Sequence, residues 1–212
     1  MLRQMKWKEE GITVAGGNSV GNELNELNYP WGIFIDRNNS IYIADCLNHR
    51  IIKWKTKENR RILIAGGNGK GNHSNQFSHP AFMFIDNEYS IYVSDLGNQR
   101  VMKWKENAKN GIVVAGGNGY GYHLNQLSDP RGVFVDELER IYVSDNMNNR
   151  IMRWCKGCSQ GEIIAGGNGG GNEPNQLQYP VGLSFDKKRN IYVADNTNHR
   201  IQKFEIDEDD TN

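Results

Sequence analysis

Long apolar runs, net charge, proline and cysteine are all scarce in this chain. No stretch approaches about eighteen consecutive apolar residues, so no membrane-spanning helix is expected. Met1 to Trp7 offers no apolar core for a signal peptide, which makes the cytoplasm the default location, or the extracellular space if the chain is a fragment. Lys plus Arg and Asp plus Glu are 25 each and cancel, leaving no global field to draw the chain onto nucleic acid or an anionic membrane. Three cysteines cannot all pair within one chain, which argues against a disulfide scaffold. Five prolines in 212 residues sit among 24 glycines, above the usual ~7 %, and aromatics make up 10 %. Such a composition suits many short strands and tight turns.

The chain is organised by repetition. Gly-Gly-Asn recurs at Gly16, Gly66, Gly116 and Gly166, a spacing of 50 residues. Pro30, Pro80, Pro130 and Pro180 keep the same interval, as do Asp36, Asp86, Asp136 and Asp186. A period of this length points to solenoids or propellers, whose units bury apolar faces against their neighbours. Within the first copy the signals are of strand type. Gly32 to Asp36 is a short apolar run, Ile41 to Asp45 is β-branched and aromatic, and Arg50 to Trp54 and Arg61 to Ala65 follow after short polar breaks. No segment sustains a helical period. The fold class expected is all-β: a β-propeller of four 50-residue blades, each of four antiparallel strands, as a closed four-bladed ring or a segment of a larger propeller.

At Tyr192 to Ile201 the block Tyr-Val-Ala-Asp-Asn-Thr-Asn-His-Arg-Ile resembles the signature of NHL repeats, and Tyr42 to Ile51 carries the same block. Pro180 to Asp186, a Pro-x-Gly followed by an apolar strand ending in Asp, completes the pattern. All four copies match, although the histidine gives way to Gln99 and Asn149 in copies two and three. The resemblance implies a propeller related to the TolB-like ones, usually six-bladed, whereas four copies are present here. Propeller residues are expected over 1–206, with repeats at about 16–65, 66–115, 116–165 and 166–206, and an acidic disordered tail over 207–212. Residues 3–15 read as the end of a blade, since Arg3 to Trp7 matches a third strand and Gly11 to Ala15 a fourth. They could close the ring onto the last copy, or mark a segment of a longer array.

Residues identical in every copy are expected to be architectural. The pairs Asp45 and Arg50, Asp95 and Arg100, Asp145 and Arg150, and Asp195 and Arg200 flank the turn between second and third strands. There the Asp can accept turn N–H groups and face the Arg. A unique site must use positions that differ between copies. On the face shared by the inter-blade loops and the second-to-third strand loops these are Tyr29, Trp31, Lys70, His73, His79, Tyr120, Tyr122, His123, Arg131 and Tyr179, a composition suited to interface anchors.

The remaining motifs point to no chemistry of their own. All five histidines fall on this face without compact ligand spacing, so no metal and no cofactor is expected. Cys155-Lys156-Gly157-Cys158 lacks the helix start of a redox motif and the second pair of a zinc site, leaving a local hairpin disulfide as the plainer reading. The Gly-rich loop from Gly66 lacks the Lys-Ser/Thr and the helix of a phosphate loop. The expected role is a non-catalytic scaffold, not an enzyme, that binds a protein or peptide, with nucleic acid and membrane set aside and self-association through open blade edges as a further option. Two alternatives follow from the resemblance. One is a zinc-dependent lyase resembling those acting on peptidyl hydroxyglycine. The other is an RNA-binding or ubiquitin-ligase substrate-recognition module, as in tripartite-motif NHL proteins.

Overall fold

The computed structural model describes residues 8–55, 58 and 60–206. The expectations placed on Arg3 to Trp7 and on the acidic tail 207–212 lie outside the described residues.

Blade 1 comprises β1 (Pro30–Ile35), β2 (Ser40–Asp45), β3 (Arg50–Lys55) and β4 (Arg60–Gly66). Blade 2 comprises β5 (Pro80–Ile85), β6 (Ile91–Asp95), β7 (Arg100–Trp104) and β8 (Ile112–Gly116), and blade 3 comprises β9 (Pro130–Val135), β10 (Ile141–Asp145), β11 (Arg150–Trp154) and β12 (Glu162–Gly166). Blade 4 has β13 (Pro180–Phe185), β14 (Ile191–Asp195) and β15 (Arg200–Phe204). Three sheets therefore have four antiparallel strands in sequence order, and the fourth sheet has three. The architecture is all-β and propeller-like, as the repeat pattern predicts.

Local chemistry sets each turn. Asp36 Oδ1 accepts the backbone N–H groups of Asn38 and Ser40, fastening the β1–β2 hairpin, and Asp86, Asp136 and Asp186 do the same in their blades. Burial raises the Asp36 carboxyl's affinity for its proton, but the Ser40 N–H and the Lys53 ammonium outweigh it and hold the group below the ordinary carboxylate value. After each second strand comes a single 3-10 turn, Cys46–Asn48 in blade 1, closed by a left-handed residue, His49, at φ 53°.

The inner strands pack in succession, β1 on β5, β5 on β9 and β9 on β13. Between blades 1 and 2 the core joins Tyr42, Ile51 and Ala65 of one blade to Phe77, Met83 and Ile85 of the next. Leu127, Val133 and Val135 repeat this against Tyr92, Val101 and Ala115 at the next junction. Trp54, Trp104 and Trp154 are buried, and Trp104 and Trp154 belong to the clusters that join their blades to the preceding ones. No comparable packing joins β13 to β1. Residues 11–15 form no strand and lie outside the four sheets, so the ring closure weighed from the sequence is not made within one chain.

Candidate functional site on the loop face

Four buried carboxylates hold the loops of one face in place. Asp95, fully buried, accepts the Ser78 N–H on Oδ1 at 2.6 Å, and the Asn98 amide and Arg100 Nε on Oδ2 at 2.7 and 2.8 Å. The Arg100 guanidinium then donates to the carbonyls of Asn72, His73 and Gln76 in the long loop that enters the blade. Asp45 with Arg50, Asp145 with Arg150 and Asp195 with Arg200 repeat the arrangement, their Nε–Oδ2 distances between 2.7 and 2.8 Å. Burial pushes the Asp95 and Asp145 carboxyls up, against the pull of these donors. The hub thus ties the 3-10 turn of each blade to the long loop that enters it.

The rigid loops present the unequal residues in separate groups. Nearest the inner strands, Arg131 at the start of β9 places its guanidinium carbon 5.1 Å from the ring centroid of Trp31, at the start of β1. Asp129 accepts from the same guanidinium at 2.8 and 3.0 Å, and Phe82 meets Trp31 edge-on at 6.4 Å. Side chains of blades 1 and 3 thus meet in front of blade 2, which requires the inner strands to turn about a common axis. Trp31 remains 44 % exposed despite these partners.

At the junction of blades 1 and 2, His49 and His79 touch edge to face with centroids 5.0 Å apart. Burial first, and then the neighbouring cations, hold both imidazoles below their ordinary value; Lys70 acts on both, and His79 acts on His49. On the outer rim of blade 3, Tyr122 stacks on His123 at 4.8 Å beside an open groove of about 360 Å³ lined also by Leu124 and Ile163. Tyr29, His73, Tyr120 and Tyr179 join none of these groups; Tyr29 and Tyr179 occupy left-handed positions just before their prolines.

The sequence reading missed Phe82, which stands where the other copies have Gly32, Gly132 and Gly182; that break in the Pro-x-Gly pattern was the available signal. It also missed a ladder of phenylalanines across the inner strands: Phe34 to Phe84 at 6.4 Å, Phe84 to Phe134 at 5.1 Å and Phe134 to Phe185 at 4.7 Å. Cys155 and Cys158 are joined as a disulfide in the turn after β11, and Cys46 is buried and free. Among the described residues no group of three or more His, Cys, Asp or Glu side chains is placed to hold a metal. The His49–His79 pair lacks a third ligand, and the residues do not fit the zinc centre of the lyase alternative. Among the described residues no helix is long and apolar enough to cross a membrane.

The NHL repeat profile matches residues 27–54 and 177–204, the first and last copies. These two copies therefore match NHL repeats. No curated protein matches the chain in sequence. Among solved structures it is similar to an auxiliary nutrient binding protein from Bacteroides thetaiotaomicron, with TM-score 0.64 and 13 % identity over 81 % of this chain and 46 % of that one. A gluconolactonase from Xanthomonas campestris gives TM-score 0.65 and 12 % identity over 86 % of this chain and 60 % of that one. A virginiamycin B lyase from Staphylococcus aureus gives 0.53 and 14 % over 84 % and 56 %. The chain thus spans between 46 % and 60 % of the length of these structures, and at such identities the likeness is one of fold. The expectation that the chain is not an enzyme is corrected by these neighbours. The architecture it adopts also carries lyases and a gluconolactonase, so a propeller of repeats does not set catalysis aside.

Proposed function

We propose that the loop face of this propeller binds a peptide or protein segment, with Trp31 and Arg131 as its anchors. The observation that carries this reading is an indole held by two partners, the Arg131 guanidinium and the Phe82 ring, yet open to solvent over 44 % of its surface. A rigid aromatic beside an arginine loses little conformational entropy when it is covered, which is why such residues dominate interface energetics. Asp129 fixes the guanidinium plane and leaves its remaining N–H groups for backbone carbonyls of a ligand. That a nutrient-binding protein shares the fold supports ligand capture as a use of this architecture.

The test is selection of displayed random peptides on the immobilised chain, followed by anisotropy titration of the selected peptides. Trp31→Ala and Arg131→Ala should each cost about 2 kcal/mol or more, roughly thirtyfold in affinity, with unchanged denaturant unfolding. Peptides that bind both variants as tightly as the parent chain would place the binding surface elsewhere.

A further inference from the structure

The two ends of the blade array expose the two surfaces that meet at each internal junction. Ile51, Val101 and Ile151 are each 0 % exposed because the next blade covers them, whereas Ile201, the same position in blade 4, is 68 % exposed. Met83 and Val133 are 8 % and 9 % exposed beneath the preceding blade, whereas Ile33 in blade 1 is 65 % exposed. Blade 4 therefore presents the surface that blades 1 to 3 turn towards their successors. Blade 1 presents the surface that blades 2 to 4 turn towards their predecessors.

The polar groups at the two ends are complementary in the same register. At each internal junction the left-handed residue after the 3-10 turn accepts a backbone N–H exactly one loop onward in the neighbouring blade. His49 Nδ1 takes the N–H of His79 at 3.2 Å, Gln99 Oε1 that of Asp129 at 2.7 Å and Asn149 Oδ1 that of Tyr179 at 2.9 Å. His199 continues this series, and its side chain has no such partner among the described residues; the donor equivalent to His79, Asp129 and Tyr179 is Tyr29. Asn146 Nδ2 donates to the Pro180 carbonyl at 2.9 Å, and Asn196 holds the Asn146 position with Pro30 as the equivalent acceptor.

The missing strand has its counterpart too. β15 has no fourth strand beside it, while residues 11–15 repeat the fourth-strand sequence without a sheet. Gly16 already has φ 71°, against 72°, 65° and 69° at Gly66, Gly116 and Gly166, where the fourth strands end. The segment thus carries the strand's terminal conformation before any pairing.

We propose that blade 4 of one copy docks, head to tail, on blade 1 of a second copy, whose residues 12–16 add the fourth strand to β15. Pairing follows the internal sheets, in which Arg150 faces Gly166 and Ile151 faces Ala165, so Arg200 faces Gly16 and Ile201 faces Ala15. Two such contacts close two copies into a ring of eight blades, within the range of about 4–8 that propellers use, and leave no edge unpaired. Of the occupants for these faces, a second copy is the one whose matching donors, acceptors and strand are all present in this chain.

Light scattering of the full chain across a concentration series tests this. The expected mass is twice 24.1 kDa. A mass of 24.1 kDa throughout, or a ladder of rising masses, would overturn it. Ile201→Asp and Ile33→Asp alter residues exposed in the single chain, so both variants should fold, as denaturant unfolding will verify, and each should halve the mass. Mixed in equal amounts they should return to the doubled mass through the one intact junction. A single variant that keeps the doubled mass, or a mixture that stays monomeric, refutes the head-to-tail arrangement. Arg131→Ala, in blade 3 and away from both ends, should leave the mass unchanged, which separates this result from loss of peptide binding.

Discussion

The imidazole of His49 accepts the backbone N–H of His79 from the following blade at 3.2 Å, while the two rings meet edge to face. Burial, joined by the charge of Lys70, holds both imidazoles below 6.5. An unfolded chain takes up these protons near 6.5 and the folded chain only at lower pH. Their contribution to stability is therefore complete above that value and is lost as pH falls through the lowered range. Denaturant midpoints measured from pH 8 down to pH 5 should fall more steeply for the parent chain than for His49→Gln, since glutamine, as at Gln99, keeps the acceptor without titrating. Parallel slopes would remove the histidines from the pH dependence.

The carboxylate hubs should differ in strength along the array. The Asp145 and Arg150 side chains are both almost wholly buried, so Arg150→Ala leaves an unpaired buried carboxylate and should cost about 3–5 kcal/mol in urea unfolding. Arg200 is 30 % exposed, and water can replace it beside Asp195. Arg200→Ala should cost clearly less, and equal losses at the two positions would show that burial does not control the hub.

Backbone contact between inner strands predicts a contrast between two glycines. A Cβ at Gly132 would lie 2.6 Å from the Val181 carbonyl oxygen, and backbone cannot step aside as a flexible side chain can. Gly132→Ala should therefore destabilise the chain by about 1–3 kcal/mol. At Gly182 the nearest atom is the Ala194 Cβ at 3.8 Å, so Gly182→Ala should leave unfolding of a single chain nearly unchanged. In the head-to-tail pair the Trp31 carbonyl of the second copy takes the Val181 place, and Gly182→Ala should then weaken association.

The phenylalanine ladder should stabilise the inner strands together. Phe134 contacts Phe84, Tyr142 and Phe185, and Phe134→Ala should cost about 3–5 kcal/mol by loss of packing on both sides. A loss under about 1 kcal/mol would mean that the ladder is a surface feature.

The repeat itself was legible in the sequence because each blade is built from local signals. Asp36 and its counterparts fasten a hairpin within a few residues, Asp45 and Arg50 stand five residues apart, and Trp54 packs within its own blade. Spacing alone therefore predicted the strands and the turns. What the sequence could not decide lies between blades. Arg131 reaching Trp31, His49 meeting His79 and the phenylalanine ladder all join residues 30 to 100 positions apart, and their distances depend on how the inner strands turn about the axis. The open ends belong to the same class. Gly11 to Ala15 reads as a fourth strand, yet whether a strand forms is decided by an edge to pair with, and only the tertiary structure places β15 out of its reach within one chain.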